Sequence, residues 1–252
     1  MTTTLLLLAA FSAGLLDAIA GGGGLIQLPS LLAAFPQKEA VELLGTNKVA
    51  ANMGTTAAAI NYQRNIRSSG KMLVALAIPA FIGSALGALL ATSIPTSAFK
   101  PIILVILIFV VIYTWRKPQM GAIESFKHHP RLRTQIGALC AFVIGFYDGV
   151  IGPGTGSFLV LAFVAILGYA FLQASAMAKV VNIFTNLGAI VIFGISGVIM
   201  WGLGLMMGVA NIAGGLIGSR IALKGGSQLV RKVFLVVTSL LILKIALDLL
   251  KA

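Results

Sequence analysis

Charge is scarce in this chain. Charged side chains make up 10% of its 252 residues, and of these only 6 are Asp or Glu against 18 Lys or Arg. That leaves too little polar surface to wrap a water-soluble globule of this size. Cysteine is reduced to Cys140, which excludes an intrachain disulfide and any multi-cysteine metal site. Its simplest role is that of a small buried apolar residue. Histidine occurs only as the adjacent His128 and His129 in a hydrophilic connection. There is no His-rich metal spacing, no Ser/His/Asp arrangement and no Walker loop. The chain is therefore expected to be neither an enzyme nor an ATP-driven pump, and to need no metal and no cofactor.

What the chain has instead is apolar residues. They form 59% of the sequence, with a mean hydropathy of +1.04, so the lipid bilayer is the expected main solvent. Stretches near the length of a membrane span recur at about 40–62, 71–92, 98–115, 170–194, 198–221 and 228–250. Two further apolar segments, near 5–34 and 134–167, are broken by glycines in the middle. The expectation is an all-α integral membrane protein with eight hydrophobic segments in a single membrane domain, 1–252.

The net charge of +12 would point to nucleic acid in a soluble protein. Here the cations sit mostly in connections between apolar segments, where enrichment of Lys and Arg on the cytoplasmic side is the ordinary explanation, so nucleic acid is not an expected partner. Trp115 and Trp201, near segment ends, fit interfacial anchors. The N-terminal apolar run ends in Ala18-Ile19-Ala20, which imitates a signal-peptidase site. However, Met1 to Thr4 carry no Lys or Arg, and Asp17 stands beside the supposed cut. The segment is expected to remain in the mature protein.

An internal repeat reinforces that view. A shift of 131 residues, the separation of Asp17 from Asp148, superposes Phe11 on Phe142, Gly14 on Gly145, Gly21 on Gly152, Gly23 on Gly154 and Leu28 on Leu159. The same shift, without a gap, superposes Lys48 on Lys179, Gly83 on Gly214, Gly87 on Gly218 and Ala91 on Ala222. Coincidences of Leu or Ala are cheap in such a sequence, but coincidences of Asp, Lys and several Gly are not. Duplication of an ancestral half is the simplest account: repeat 1 at about 5–117, a linker at about 116–133, and repeat 2 at about 136–251.

Loop charges orient the halves. Arg64, Arg67 and Lys71 follow the second segment of repeat 1, whereas the counterpart around 196–202 is uncharged. At the next connection the pattern reverses, with Lys100 nearly alone in repeat 1 and Arg220, Lys224, Arg231 and Lys232 crowding repeat 2. Adding Arg116, Lys117, Lys127, Arg131 and Arg133 of the linker to the cytoplasmic set makes the assignment self-consistent, and equivalent loops then lie on opposite sides. This reading gives two inverted repeats, six full spans, both termini outside, and one re-entrant helical hairpin opening each repeat. Irregular backbone at membrane depth is tolerated only where protein or a water-filled cavity covers it.

The hairpins carry the candidate chemistry. The first contains Asp17 and the run Gly21-Gly22-Gly23-Gly24 before Pro29; the second contains Asp148 and Gly152-Pro153-Gly154-Thr155-Gly156. Each looks like two half-helices meeting at a glycine break. There the second half-helix offers backbone N–H groups and the positive end of its dipole, and missing Cβ atoms let a ligand approach. Gly22, Gly23, Gly24, Gly154, Thr155 and Gly156 are thus candidate anion-binding residues. The Gly83/Gly87, Gly204/Gly208 and Gly214/Gly218 pairs are read as helix-packing positions instead. A second polar set lies inside otherwise apolar spans: Thr46, Asn47, Lys48 and Asn52, with Thr55 and Thr56, in repeat 1, and Lys179, Asn182 and Asn186, with Thr185, in repeat 2. A charged side chain at mid-bilayer costs roughly 2.5–3.5 kcal/mol on insertion scales, so matched lysines are not expected to be idle. Lys48 and Lys179 either pair with Asp17 and Asp148 for stability or hold an anion together with the Asn and Thr side chains and the hairpin tips. For Asp17 and Asp148, anchoring of the lysines, capping of a helix start and proton uptake all stand open.

These motifs, in order, resemble the TauE/SafE sulfite exporter family, also called the toluene sulfonate uptake permease family. The resemblance rests on Ala13-Gly14-Leu15-Leu16-Asp17-Ala18-Ile19-Ala20-Gly21-Gly22-Gly23 with Pro29, on Gly45-Thr46-Asn47-Lys48, on Asp148-Gly149 with the Gly152-Pro153-Gly154-Thr155-Gly156 string, on Lys179, Asn182 and Asn186, and on Gly214-Gly215-Leu216-Ile217-Gly218-Ser219. Tyr147 before Asp148 departs from the pattern. The resemblance implies a multi-pass protein of the bacterial inner membrane that exports or takes up a sulfur-containing anion, such as sulfite, a sulfonate or a related organosulfur compound. Coupling to an H+ or Na+ gradient, with alternating access of a midplane site, is the expected mode. The rivals are a passive anion channel and a membrane sensor or scaffold that binds such an anion without moving it. The expected partners are the small anion, the bilayer and the coupling ion, with room left for a homo-oligomer.

Overall fold

The computed structural model describes residues 3–91, 121, 123–126 and 128–250, with side chains up to residue 243 apart from those of 237, 238, 241 and 242. Among the described residues there are eight helices and no strand: α1 (Thr3–Ala20), α2 (Gly24–Ala34), α3 (Ala40–Asn65), α4 (Gly70–Ala91), α5 (Pro130–Val150), α6 (Thr155–Ala165), α7 (Phe171–Ile195) and α8 (Trp201–Leu250). The expected span at 98–115, with Lys100 and Trp115, and the linker cations Arg116, Lys117 and Lys127 lie outside the described residues.

The polarity of the bundle is that of a membrane protein. α1, α4, α7 and the Trp201–Val236 part of α8 are long and apolar enough to cross a bilayer, and α2 and α6 are shorter apolar helices. Large apolar side chains such as Leu139, Val209 and Ile195 face outward at 64%, 65% and 81% exposure. In water such a surface would be strongly unfavourable; in lipid it is solvated. Inside, Lys48, Lys179, Asp148, Asn47, Asn182, Asn186 and Thr185 are buried.

Small residues bring the helices together. α4 runs parallel to α5, and α1 parallel to α8, each pair packed along most of its length. Gly83 and Gly87 of α4 face the backbone carbonyls of Phe142 and Phe146 so closely that a Cβ would have no room, and Gly145 faces the carbonyl of Ala80 in return. At the other pair Gly214 and Gly218 face the carbonyls of Phe11 and Leu15, while Gly14 faces that of Asn211. These are the positions one shift of 131 relates, and the glycines serve the packing role read from the sequence. The shift also relates element boundaries: α2 and α6 are 11 residues each and start at 24 and 155, and α4 and α8 start at 70 and 201. α3 and α7, which hold the two lysines, pack on each other.

The glycine breaks do not separate equal half-helices. α1 and α5 run for 18 and 21 residues before the break, whereas α2 and α6 have 11. At a rise of about 1.5 Å per residue the outgoing arms are about 27–32 Å long and the returning arms about 16 Å. The apolar run before each break contains nothing to stop a helix until Gly21 and Gly152, which take φ of 81° and 89°. The return arms stop early for local reasons, at Phe35 followed by Pro36 and at Ile166 before Gly168, where φ is 84°.

Each arm returns toward the end from which its partner set out. Ser125 N–H, ahead of α5, donates to the Gly168 carbonyl at 2.7 Å, and Phe171 N–H donates to the Gly121 carbonyl at 2.8 Å. In the first hairpin Leu6 and Ala10 share an apolar cluster with Leu31, Ala34 and Phe35. α8 is broken at Gly226, with φ of 64° and ψ of −169°, which separates the apolar segments expected at 198–221 and 228–250. Beyond the break, Ser227 Oγ accepts a hydrogen bond from Leu172 N–H at 3.2 Å and Phe234 meets Phe171 at 5.7 Å.

Candidate functional site

The two glycine breaks meet each other in the middle of the bundle. Ser157 N–H donates to the Gly21 carbonyl at 3.2 Å, and Ser157 Oγ donates to the Ala20 carbonyl at 2.8 Å. Gly156 lies against Gly21 so closely that a Cβ on it would come within 2.6 Å of the Gly21 Cα. A Cβ on Gly24 would lie 3.4 Å from Pro153 Cα. Glycine is needed here twice over, for left-handed backbone and for contact between two main chains.

Around this junction the four matched charges form two crossed ion pairs. Lys48 Nζ of α3 lies 2.6 Å from Asp148 Oδ1 of α5, with both side chains 2% exposed. Lys179 Nζ of α7 lies 2.9 Å from Asp17 Oδ2 of α1, with Lys179 1% and Asp17 14% exposed. Each lysine therefore reaches the carboxylate of the opposite half, and the shift of 131 exchanges one pair for the other. Thr155 Oγ1 stands 2.6 Å from Asp148 Oδ1 and 2.7 Å from the Gly152 carbonyl, and its single proton serves one of them at a time. Thr55 Oγ1 donates to Asp17 Oδ2 at 3.2 Å. The ammonium of Lys48 also touches the second glycine break, since a Cβ on Gly152 would come within 2.9 Å of its Nζ.

The other expected residues fall into three groups. Gly152, Gly154, Gly156, Gly21 and Gly23 shape the junction: Gly154 caps α6 with φ of 89°, and a Cβ on Gly23 would meet Asp17 Cβ at 2.6 Å. The first-turn donors are partly used within the hairpins, because Leu25 N–H donates to the Gly22 carbonyl and Thr155 N–H to that of Gly152. Asn47, Asn52 and Asn186 are on the lysine helices, and buried Asn47 Oδ1, Asn52 Oδ1 and Asn186 Nδ2 have no hydrogen-bond partner among the described residues. The same holds for Asp148 Oδ2, whereas Asn182 Oδ1 accepts from Thr185 Oγ1 at 2.9 Å. Buried polar atoms are nearly always paired, so these open donors and acceptors mark the lysine helices as a candidate binding region. Thr46 stands apart: its hydroxyl donates to the Glu42 carbonyl at 2.7 Å and accepts from Met200 N–H at 3.0 Å, tying α3 to the start of α8.

Several residues at the junction had no signal of their own in the sequence. Gln27, 1% exposed, accepts from Asn211 Nδ2 at 2.6 Å and leaves its Nε2 unpartnered. Asn211 occupies the position that the shift relates to Ala80, so the repeat concealed it. Tyr147 now has a role, because its hydroxyl donates to the Pro153 carbonyl at 2.6 Å while its ring meets Phe158 edge-on at 5.1 Å. Tyr62 acts likewise on the first hairpin, donating to the Ala18 carbonyl at 2.9 Å.

The arrangement is electrically balanced. Two ammonium groups face two carboxylates, so a small anion gains no net attraction until a carboxylate is neutralised or drawn away. Among the described residues no cluster of His, Cys, Asp and Glu has the composition of a metal site.

Comparison with known proteins identifies the family. The family model described as "Sulfite exporter TauE/SafE" matches residues 6–245. A probable membrane transporter protein, ORF9, of Sinorhizobium sp. is 38% identical over 245 residues, covering 96% of this chain and 92% of its own. Probable membrane transporter proteins of Haemophilus influenzae and Escherichia coli K12, the latter YfcA, are 35% and 33% identical, covering 94% and 95% of this chain and 92% and 87% of their own. No solved structure matches the chain.

Proposed function

The chain belongs to the sulfite exporter TauE/SafE family of membrane transporters, and from that premise we propose that it carries a small sulfur oxyanion, of the sulfite or sulfonate class, across the bacterial inner membrane together with a proton. The observation that carries this reading is the pair of crossed ion pairs at the junction of the two glycine breaks. Buried ion pairs are weak sources of stability, because desolvation offsets much of the Coulomb gain. Two of them in the interior of a membrane transporter are better explained by exchange of partners. A proton taken up by Asp148 or Asp17 releases the facing ammonium, and an oxyanion then replaces the carboxylate as its counter-ion. The open Asn186 Nδ2 and the Thr155 hydroxyl are hydrogen-bond donors for its oxygens. A singly charged anion, such as a sulfonate or hydrogen sulfite, then enters with the proton as a neutral pair, and the released ammonium keeps a counter-ion.

The same pairs connect binding to motion. We read α1 to α4 and α5 to α8 as inverted repeats, each opened by a re-entrant hairpin, with the end bearing Arg64, Arg67, Lys71 and Arg133 in the cytoplasm. A returning arm of about 16 Å reaches about half-way through a hydrocarbon core of about 30 Å, which suits a midplane site. Because both crossed pairs join one half to the other, rocking of the halves would strain them, and an anion that has exchanged into one changes the energy of that step.

Flux of labelled sulfite into proteoliposomes tests the reading. Uptake against a sulfite gradient, driven by an imposed pH gradient and abolished by Lys48→Met and by Lys179→Met, is the expected result. Rapid flux that only dissipates a gradient would identify a channel, and binding without flux a sensor or scaffold. Full transport by both well-expressed Met variants would remove the lysines from the site.

A further inference from the structure

A cationic cavity lies toward one end of the bundle, away from the crossed ion pairs. A cavity of about 240 Å³ opens between the starts of α4 and α5, lined by Ser69 just before α4, Lys71 of α4, Arg133 and Thr134 of α5, and Tyr169 of the connection between α6 and α7. Arg133 and Asp148 are fifteen residues apart on α5, so the cavity is about 22 Å along that helix from the Lys48 pair. At about 30 Å³ per water it has room for an oxyanion and several waters.

We propose that this cavity binds a tetrahedral oxyanion of the phosphate or sulfate class. The lining supplies two cations, and no carboxylate lines it among the described residues. Arg133 lays its guanidinium 3.9 Å over the Phe126 ring and 5.4 Å from the Tyr169 ring centroid. That stacking fixes the plane of the fork, yet its buried Nε has no hydrogen-bond partner among the described residues. A stacked guanidinium whose Nε–H is open is suited to capture of an oxyanion along that edge. Burial pushes the Tyr169 phenol up in pKa, against the pull of Arg133 and with the help of Glu124, so it stays a neutral hydroxyl able to donate. Thr134 turns its own proton toward the Pro130 carbonyl at 3.0 Å or Met72 sulfur at 3.2 Å and shapes the wall. Both helices also begin here, and their N-terminal dipole ends add to the positive field.

A free anion and a phospholipid headgroup share this chemistry, and the test separates them. Inorganic sulfate and phosphate are titrated by calorimetry at constant ionic strength into the delipidated full-length protein in a neutral detergent. In parallel, phosphatidylglycerol and phosphatidylcholine adducts are counted by native mass spectrometry. The Lys71→Gln/Arg133→Gln double variant should bind the preferred ligand at least about tenfold more weakly. The Lys71→Arg/Arg133→Lys variant, which keeps both charges, should fall between the two, and Lys48→Met/Lys179→Met should retain this site whether or not transport survives. Loss of inorganic anion binding identifies a free oxyanion, and selective loss of phosphatidylglycerol identifies a headgroup. Unchanged binding of all four ligands in the double Gln variant overturns the proposal. If that variant does not stay monodisperse, amide exchange of the unaltered protein decides: slowing at 69–73 and 130–134 with sulfate or phosphatidylglycerol supports the site, and none overturns it.

Discussion

The two crossed ion pairs are related by the shift of 131 residues but are not equal. Lys48 and Asp148 meet at 2.6 Å in a fully sealed environment, helped by a threonine from the same hairpin. Lys179 and Asp17 meet at 2.9 Å with the carboxylate partly exposed, and the helping threonine comes from α3 instead. The cause lies in residues that the shift does not conserve: Gly24 stands where the second hairpin has Thr155, and Thr55 where α7 has Asn186. One scaffold thus holds a closed carboxylate and a reachable one at the same time. On the proposed mechanism, the reachable carboxylate is the one at which a proton and an anion would first arrive.

The largest effect should come from breaking the sealed pair. Asp148→Leu leaves an ammonium buried without a partner and should lower unfolding stability by about 3–5 kcal/mol, whereas Asp17→Leu, at the partly exposed carboxylate, should lower it less. Thermal unfolding in detergent measures both, and equal shifts would end the distinction between the pairs. Adding Lys48→Met to Asp148→Leu should recover most of the stability without recovering sulfite flux.

Next come the two glycines at the breaks. Alanine at either position must take left-handed backbone, at about 1–2 kcal/mol. At Gly21 it also strikes the main chain of Gly156 and Ser157, which cannot move aside, while at Gly152 it meets the end of a lysine side chain. Gly21→Ala should therefore impair folding yield, and Gly152→Ala should fold but lose transport by displacing Lys48. Comparable monodisperse yields for the two variants would contradict this division.

Acidity on the side from which the anion arrives should raise flux, approaching tenfold per pH unit if one proton is obligatory. The sign follows from the exchange: protonation of a carboxylate frees an ammonium for the anion, and rising pH restores the ion pair and expels it. Asp17→Asn and Asp148→Asn should each flatten the profile if the carboxylate it replaces is the one that takes up the proton. The smallest contrast is between Thr155→Val and Thr55→Val, each removing one hydrogen bond to a carboxylate at about 1 kcal/mol or somewhat more. The shorter contact of Thr155 should make its loss the larger.

Much of this was readable from composition and spacing. Helical membrane architecture followed from hydropathy, and the packing roles of Gly83, Gly87, Gly214 and Gly218 from their regular interval. The concentration of Lys48, Lys179, Asp17 and Asp148 at one place was expected in outline. The crossing of the pairs was not, because a repeat alignment says which residues are equivalent and not which half each one faces. Gln27 and Asn211 escaped notice for a related reason: single amides at unmatched positions acquire meaning only when two helices bring them to 2.6 Å. The unequal lengths of the hairpin arms are not set by the glycine breaks, because the short arms end at signals of their own, Pro36 and Gly168.

The sequence by itself determined that this chain lives in a bilayer, that glycine interrupts two of its apolar segments at equivalent points, and that four charges stand at matched positions in its halves. These are properties of residue type and interval, which hydrophobicity and backbone sterics convert directly into local structure. Tertiary structure alone decided that each lysine serves the opposite half, that the glycine breaks touch, and that one carboxylate is sealed while its equivalent is not. Those outcomes depend on which helix faces pack together, and that is set by side-chain fit summed over the whole bundle rather than by any one segment.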